Sequence, residues 1–311
     1  QLNINQLGAV FYAPMYKQRG QDTKKGLISA VFGIGYNRNN DYHTEINYAG
    51  NNSRTSIADY FAEIAGSTTP NNLTGGSLER MAYDNYLISF DNVAGNYFPE
   101  TFADANQSNA QRKNEVRAGS VSEFNFSAAA NISNTVYIGG SIGLVDLRYT
   151  TDAQYEEAGR AREYDADGDL TGANINYKLL FNQSQITKGS GVNGKIGVIV
   201  RAAEGLRIGA TFQTPTWFVI DDSYTEGLDN RGTIRGTSDT ETYDFTYNLR
   251  TPLKGSLGAS YVIANQAIIS ADVDFIDEIG LKEHLSPTRA NGLVSMIKQI
   301  KMYALAFEAK N

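Results

Sequence analysis

Apolar and polar residues alternate with a period of two along much of the chain, and the pattern is clearest around Gly194 to Gln213. One arm runs Gly-Lys-Ile-Gly-Val-Ile-Val-Arg, the chain turns through Ala202 to Gly205, and the other arm returns as Leu-Arg-Ile-Gly-Ala-Thr-Phe-Gln. With Arg201 opposite Arg207, Val200 meets Ile208, Val198 meets Ala210 and Ile196 meets Phe212, which makes one face apolar. The other face carries Lys195, Arg201, Arg207, Thr211 and Gln213, with Gly197 and Gly209 between them. An apolar outer face and a charged, glycine-rich inner face are what a strand pair shows between lipid and a wet lumen.

The same alternation predicts strands over Leu2 to Ala13, through Ile28, Phe32, Ile34 and Tyr36, and from Tyr42 to Tyr48 past an Asn-rich break at 37–40. It returns at Val116 to Ala130, turns at Asn131 to Asn134, and runs on through Val136 to Tyr149. Ile175 to Ala202 reads as one long strand interrupted at Gly189 to Gly191. Tyr243, Phe245, Tyr247 and Leu249 begin another, which meets Pro252 and Gly255, resumes at Leu257, and returns after a turn at 264–266 through Ala267 to Phe275. Tyr303, Leu305 and Phe307 suggest a last strand. Residues 51–113 lose the period. There, Ser56 is an N-cap with Asp59 three residues on, ahead of Ile57, Tyr60, Phe61 and Ile64 on one helical face. A second helix is expected from Ser77 to about Phe90, carrying Met81, Leu87 and Ile88.

Connections at 131–134, 202–205 and 264–266 are short, and those at 51–113, 150–170 and 218–239 are read as long loops. This one-sided bias belongs to outer-membrane barrels, whose two ends face different compartments. A soluble sandwich also alternates, but on shorter strands. The fold class expected is therefore all-β, a transmembrane antiparallel barrel forming one domain over residues 1–311, with 51–113 as a helical extracellular insert.

Composition agrees. The 311 residues include 19 Tyr and 30 Gly but only 6 Pro, and no apolar run approaches the roughly eighteen residues of a membrane helix. With no cysteine, the chain has no disulfide framework and no thiolate metal site. A net charge of -7 argues against a nucleic-acid partner. Catalysis finds little support, because the two histidines, His43 and His284, sit in no nucleophile constellation. Asp165-Ala-Asp-Gly-Asp169 has part of a calcium-loop spacing but lacks the closing glutamate, so no enzyme, metal or cofactor is expected.

Gly33-Ile-Gly-Tyr-Asn-Arg-Asn-Asn40, Ser56-Ile-Ala-Asp-Tyr-Phe-Ala-Glu63 and Gly191-Val-Asn-Gly-Lys-Ile-Gly-Val198 resemble the FadL-type long-chain fatty-acid transporters. Leu206-Arg-Ile-Gly-Ala-Thr-Phe-Gln-Thr-Pro-Thr-Trp217 shares the resemblance. It implies the outer membrane of a Gram-negative bacterium, with lipid and lipopolysaccharide around a barrel of about fourteen strands. It also implies an N-terminal hatch, binding of hydrophobic molecules near the external loops, and lateral release through a gap in the wall. About nine or ten strands are legible here, so both ends of such a barrel are expected to lie beyond this sequence.

Three groups of residues are candidates within that picture. Ile57, Tyr60, Phe61, Ile64, Met81, Leu87 and Ile88 either line a groove for a fatty acid or other hydrophobic molecule or pack the insert helices. Lys195, Arg201 and Arg207, facing the lumen, either bind a carboxylate or pair with acids such as Glu115, Glu123, Asp272 or Asp274. Asn39, Gly189, Gly191, Pro252 and Gly255 mark strand kinks, one of which opens a lateral gap unless all merely bend their strands. The competing function is a FadL-like scaffold docking a protein partner in a secretion or surface-assembly complex.

Overall fold

In the computed structural model the described residues are 4–103, 106–165, 167, 169–231, 238–263, 266–277 and 299–306. The first strands are β1 (Gln6–Pro14), β2 (Leu27–Asp41) and β3 (Thr44–Asn52). The insert follows, with α1 (Ile57–Ala65), a single 3-10 turn, α2 (Leu78–Asp84), a hairpin of β4 (Ile88–Asp91) and β5 (Asn96–Pro99), and the short β6 (Thr101–Phe102). Then come β7 (Asn109–Ile132), β8 (Val136–Tyr164), β9 (Leu170–Ala203), β10 (Leu206–Gln213) and β11 (Trp217–Arg231). The chain ends with β12 (Ser238–Arg250), β13 (Leu253–Ile263), β14 (Ala267–Asp277) and β15 (Gln299–Ala306).

The fold is all-β, dominated by one antiparallel sheet in the order β1-β2-β7-β8-β9-β10-β13-β14-β15. β3 continues β2 along β7, β11 continues β10 along β9, and β12 pairs with β11. Alternation sets this register: Arg207 lies opposite Arg201, Val200 opposite Ile208, Val198 opposite Ala210 and Ile196 opposite Phe212, as the hairpin pattern predicts. The turn after β7 places Ser133 and Asn134 in the left-handed region, as the central residues of a turn closed by Thr135 N donating to the Ile132 carbonyl (3.0 Å), a geometry that matches strand twist. After β9 the left-handed position is Gly205, where a Cβ would meet the Val262 carbonyl at 2.8 Å.

Two expected loops are strand. β8 extends through 150–164 and β9 begins at Leu170, while 218–231 and 238–250 form the arms of the β11–β12 hairpin. Both segments are polar on their outer side; on the other, Tyr155, Ala161 and Leu228 pack on the insert whereas Phe218 and Ile220 cluster with Val145, so no strong hydropathy alternation marks them as strand. The predicted α1 cap is present in full, with Ser56 and Asp59 bonding reciprocally around the first turn. α2 stops at Asp84 rather than near Phe90, and Ile88 opens β4 instead. The last strand exists as β15, and Phe307 lies outside the described residues.

The insert defines an inner face of the sheet. Phe61, Ala65, Met81, Leu87 and Ile88 pack against Tyr177, Leu179 and Phe181 of β9, Ala161 of β8 and Leu228 of β11. Each large apolar side chain enclosed there contributes roughly 1.5–3 kcal/mol. Away from the end that carries the insert, the opposite, outer face is apolar and uncovered. One cross-strand row runs Phe11, Phe32, Ala128, Gly140, Ile196, Phe212, and others repeat above and below it. Phe32, Ile34, Phe126, Ile142, Ile196, Phe212 and Leu257 are each 44–60% exposed.

Candidate functional site

The upper inner face is built around a carboxylate. Glu157, on β8, is fully buried beneath the first turn of α1. It accepts hydrogen bonds from the Ile57 backbone N (3.1 and 3.2 Å), Gln111 Nε2 (2.6 Å), and the hydroxyls of Tyr155 (2.8 Å) and Tyr177 (2.7 Å). A helix N-terminus and three side-chain donors thereby replace the water and counter-ion that this charge would otherwise require. Burial, and then the Glu157 charge, hold the Tyr155 and Tyr177 phenols far above the ordinary tyrosine value.

Lower down, the wall has a break. Gln213 pairs with Lys254 and Trp217 with Arg250, so three residues on each strand, 214–216 and 251–253, separate two regular ladders. Pro215 is level with Pro252, and neither supplies an amide proton. Against β9 the same gap opposes three residues to two, 193 and 194, because Gln213 pairs with Lys195 and Trp217 with Val192. The extra residue is a bulge, and it turns both strands over together. On β10 the odd positions face inward, as on β9, whereas on β11 the inward residues are the even ones, Phe218, Ile220, Asp222 and Tyr224.

The reversal carries β12 with it. Leu249, Tyr247, Phe245 and Tyr243 lie opposite Phe218, Ile220, Asp222 and Tyr224, on the inner face, while Leu257 and Tyr261 of β13 face outward. The four β12 residues remain 37–49% exposed, an apolar stripe on the inner wall. Tyr243 OH donates to the Gly76 carbonyl (3.2 Å), which ties the top of the stripe to the insert.

Beside the break sits a polar knot. Lys195 Nζ bonds Glu123 Oε1 at 2.5 Å, and Asn193 Nδ2 donates to Glu123 Oε2 and Thr216 Oγ1, both at 3.2 Å. Glu123 and Asn193 are 3% and 2% exposed, and the Asn193 Oδ1 has no partner. Thr251 N donates to the Thr216 carbonyl (3.0 Å) and Thr216 N to Thr251 Oγ1 (2.8 Å), so two bonds bridge the strands at the break. Below it the inner face is nearly bare. Gly33, Ser127, Gly139, Gly197 and Thr211 line a hollow of about 450 Å³ that reaches from Val10 of β1 to β10.

The sequence candidates divide accordingly. Phe61, Met81, Leu87 and Ile88 are at most 2% exposed inside the insert core, so they pack helices and do not line an open groove. Ile57 packs partly against that core, while Tyr60 (51%) and Ile64 (40%) stay exposed on the other side of α1. Lys195 is paired with Glu123, Arg201 lies over the Tyr137 ring at 5.6 Å, and Arg207 borders a hollow with Ser260, Ser270 and Asp272.

Among the kinks, Asn39 is a true bulge, skipped between Arg38 and Asn40 in the pairing with β7, and Pro252 stands at the break. Gly189 and Gly191 are not kinks, because β9 pairs without a register shift past both. They are bare so that side chains of β11 can lie on them: a Cβ on Gly191 would come within 2.8 Å of the Phe218 ring, and one on Gly189 within 3.2 Å of Ile220. Gly255 is not a break either, since it pairs with both Phe212 and Phe275. Pro215 and the β12 stripe were missed. Pro215 reads as the end of a hairpin arm, and no sequence rule announces that two strands reverse in step.

Asp165 Oδ1 accepts from the amides of Asp167 and Asp169, an Asx-type turn, and no group of three potential metal ligands occurs among the described residues. His284 lies outside the described residues.

Comparison with known proteins adds one finding. A family model described as SufE: Fe-S metabolism associated domain matches residues 263–304, a segment that contains β14 and most of β15. The chain has no cysteine, so this segment offers no thiolate to an iron–sulfur cluster. No curated protein and no solved structure matches the chain.

Proposed function

We propose that the chain forms the wall of an outer-membrane β-barrel of FadL type that takes up hydrophobic small molecules, the resemblance implying long-chain fatty acids. The observation that carries this reading is the outer face. Large apolar side chains stand uncovered on eight adjacent strands, β1, β2, β7, β8, β9, β10, β13 and β14, far beyond the scattered apolar residues of a soluble surface. In lipid the same face is matched to its solvent, and Trp217 stands where the band gives way to the polar outer side of β11 and β12. Closure of the sheet would satisfy its edges in that setting.

Mechanistically, a ligand passes along the uncovered side of α1, where Tyr60 and Ile64 are exposed, and meets the aromatic stripe of β12. It leaves sideways at the Pro215–Pro252 break, where the ladder lacks two amide donors and the bridging bonds are few. No energy source is required. The scaffold reading draws on a different observation, the insert packed directly onto β8 and β9, which fills part of the inner space. Vesicles reconstituted with the chain decide between them. Uptake predicts faster entry of a fluorescent fatty acid or neutral hydrophobe than into protein-free vesicles, and equal rates would refute it.

A further inference from the structure

The stripe on β12 has an electrostatic character that its apolar lining conceals. Above the Pro215–Pro252 break, the inner faces of β9, β11 and β12 carry no lysine or arginine among the described residues. They carry Asp222, Glu226 and Glu241 instead. Asp222 is 6% exposed, and its described bonds come only from uncharged donors, Gln185 Nε2 and Thr187 Oγ1. Glu226 is likewise held by Gln183 and the Tyr224 hydroxyl. Of the cations on neighbouring elements, Arg80 is bonded to Asp84 at 2.8 Å and Lys195 to Glu123, while Lys254 faces inward only below the break, level with Gln213. The field reaches the stripe: after burial, the strongest influences raising the Tyr243 phenol are Glu226, Glu241 and Glu79, and for Tyr247 it is Asp222.

A fatty-acid carboxylate entering this space would meet fixed negative charge with no lysine or arginine among the described residues of these faces to offset it. We infer that the inner stripe of Tyr243, Phe245, Tyr247 and Leu249, flanked by Asp222 and Glu226, binds hydrophobic organic cations, an ammonium group attached to an aryl or alkyl body. The aromatic faces attract the cation and take up the apolar body, and the carboxylates set the sign of the charge. This rests on the uptake reading for its biological sense and names the ligand class of that same inner surface.

The test uses the full chain in lipid nanodiscs, titrated with benzyltrimethylammonium, benzyl alcohol and phenylacetate, and followed by saturation-transfer NMR and calorimetry. These probes are water-soluble and share one ring. The cation is expected to bind about tenfold more tightly than phenylacetate, with the alcohol between them. Glu226→Gln, at a partly exposed site where misfolding is not expected, should weaken the cation roughly threefold or more and leave the alcohol unchanged. Asp222→Asn should act in the same direction, and Tyr247→Ala should weaken both probes. Phenylacetate binding as tightly as the cation, no binding of the cation, or a cation affinity indifferent to both carboxylate variants would each overturn the inference. Selective binding without vesicle uptake of any hydrophobe would sustain it while removing the transport reading.

Discussion

Replacing Glu157 by alanine is expected to release the insert from the wall without unfolding the sheet. The carboxylate accepts from four groups, the Ile57 amide, Gln111, Tyr155 and Tyr177, all at 2.6–3.2 Å. Truncation leaves these donors facing a void beneath α1, and each buried donor without a partner costs about 1–3 kcal/mol. Water entering the void repays part of this, and loss of the charge at the helix N-terminus adds about 0.5–1 kcal/mol. The net local loss is about 3–6 kcal/mol, against a long ladder between β8 and β9 that the change does not touch. Hydrogen exchange by mass spectrometry on peptides covering Ile57–Ala65 should show protection falling by about a hundredfold or more, while peptides from the lower part of β9 keep theirs. Glu157→Gln retains one carbonyl oxygen and should fall between wild type and alanine. If α1 in the alanine variant exchanges within about threefold of wild type, Glu157 is not what holds the insert, and the electrostatic account of that anchor fails.

Three further outcomes follow from the wall. Ile142→Arg places a charge on an outer position that is 60% exposed, so a water-facing surface predicts a change within about 0.5 kcal/mol and a lipid-facing one a loss of about 2–4 kcal/mol. Urea titration of folding into phospholipid vesicles reads the difference, and a neutral result would remove the membrane reading. Gly191→Val should destabilise by about 1–3 kcal/mol through contact with Phe218 and Thr216, measured as a lowered denaturation midpoint. A glycine hinge predicts the reverse, since valine stiffens a strand, so stabilisation would overturn the packing role. The double variant Pro215→Ala, Pro252→Ala restores two amide donors at the break. It should slow vesicle uptake severalfold with ligand affinity unchanged, and an unaltered rate would show that release occurs elsewhere.

How far the sequence was legible depended on which physical signal each segment carried. The hairpin from Lys195 to Gln213 was readable pair by pair, because a one-residue slip would have turned every apolar side chain to the wrong face. The cap of α1 was readable because Ser56 and Asp59 act over three residues. The arms at 150–164 and 218–231 were not, because their outer sides are polar and their inner sides mix tyrosine, glutamate and leucine. Gly189 and Gly191 were misread for a related reason: a glycine that bends a strand and one that makes room for a phenylalanine look alike until the neighbouring strand is in place.

The sequence by itself determined the all-β class, the period-two faces, the short turns and the helical character of the insert, because each depends on residues near one another in the chain. Tertiary structure alone decided what the inward side chains meet and where the facing reverses. The pairing of Glu123 with Lys195, the burial of Glu157 under α1 and the inward turn of Tyr243 to Leu249 each bring together residues from separate elements. The last depends on a single extra residue at the Pro215–Pro252 break. One such residue inverts the facing of everything beyond it, and hydrophobic alternation, being the same on either side of the inversion, does not record it.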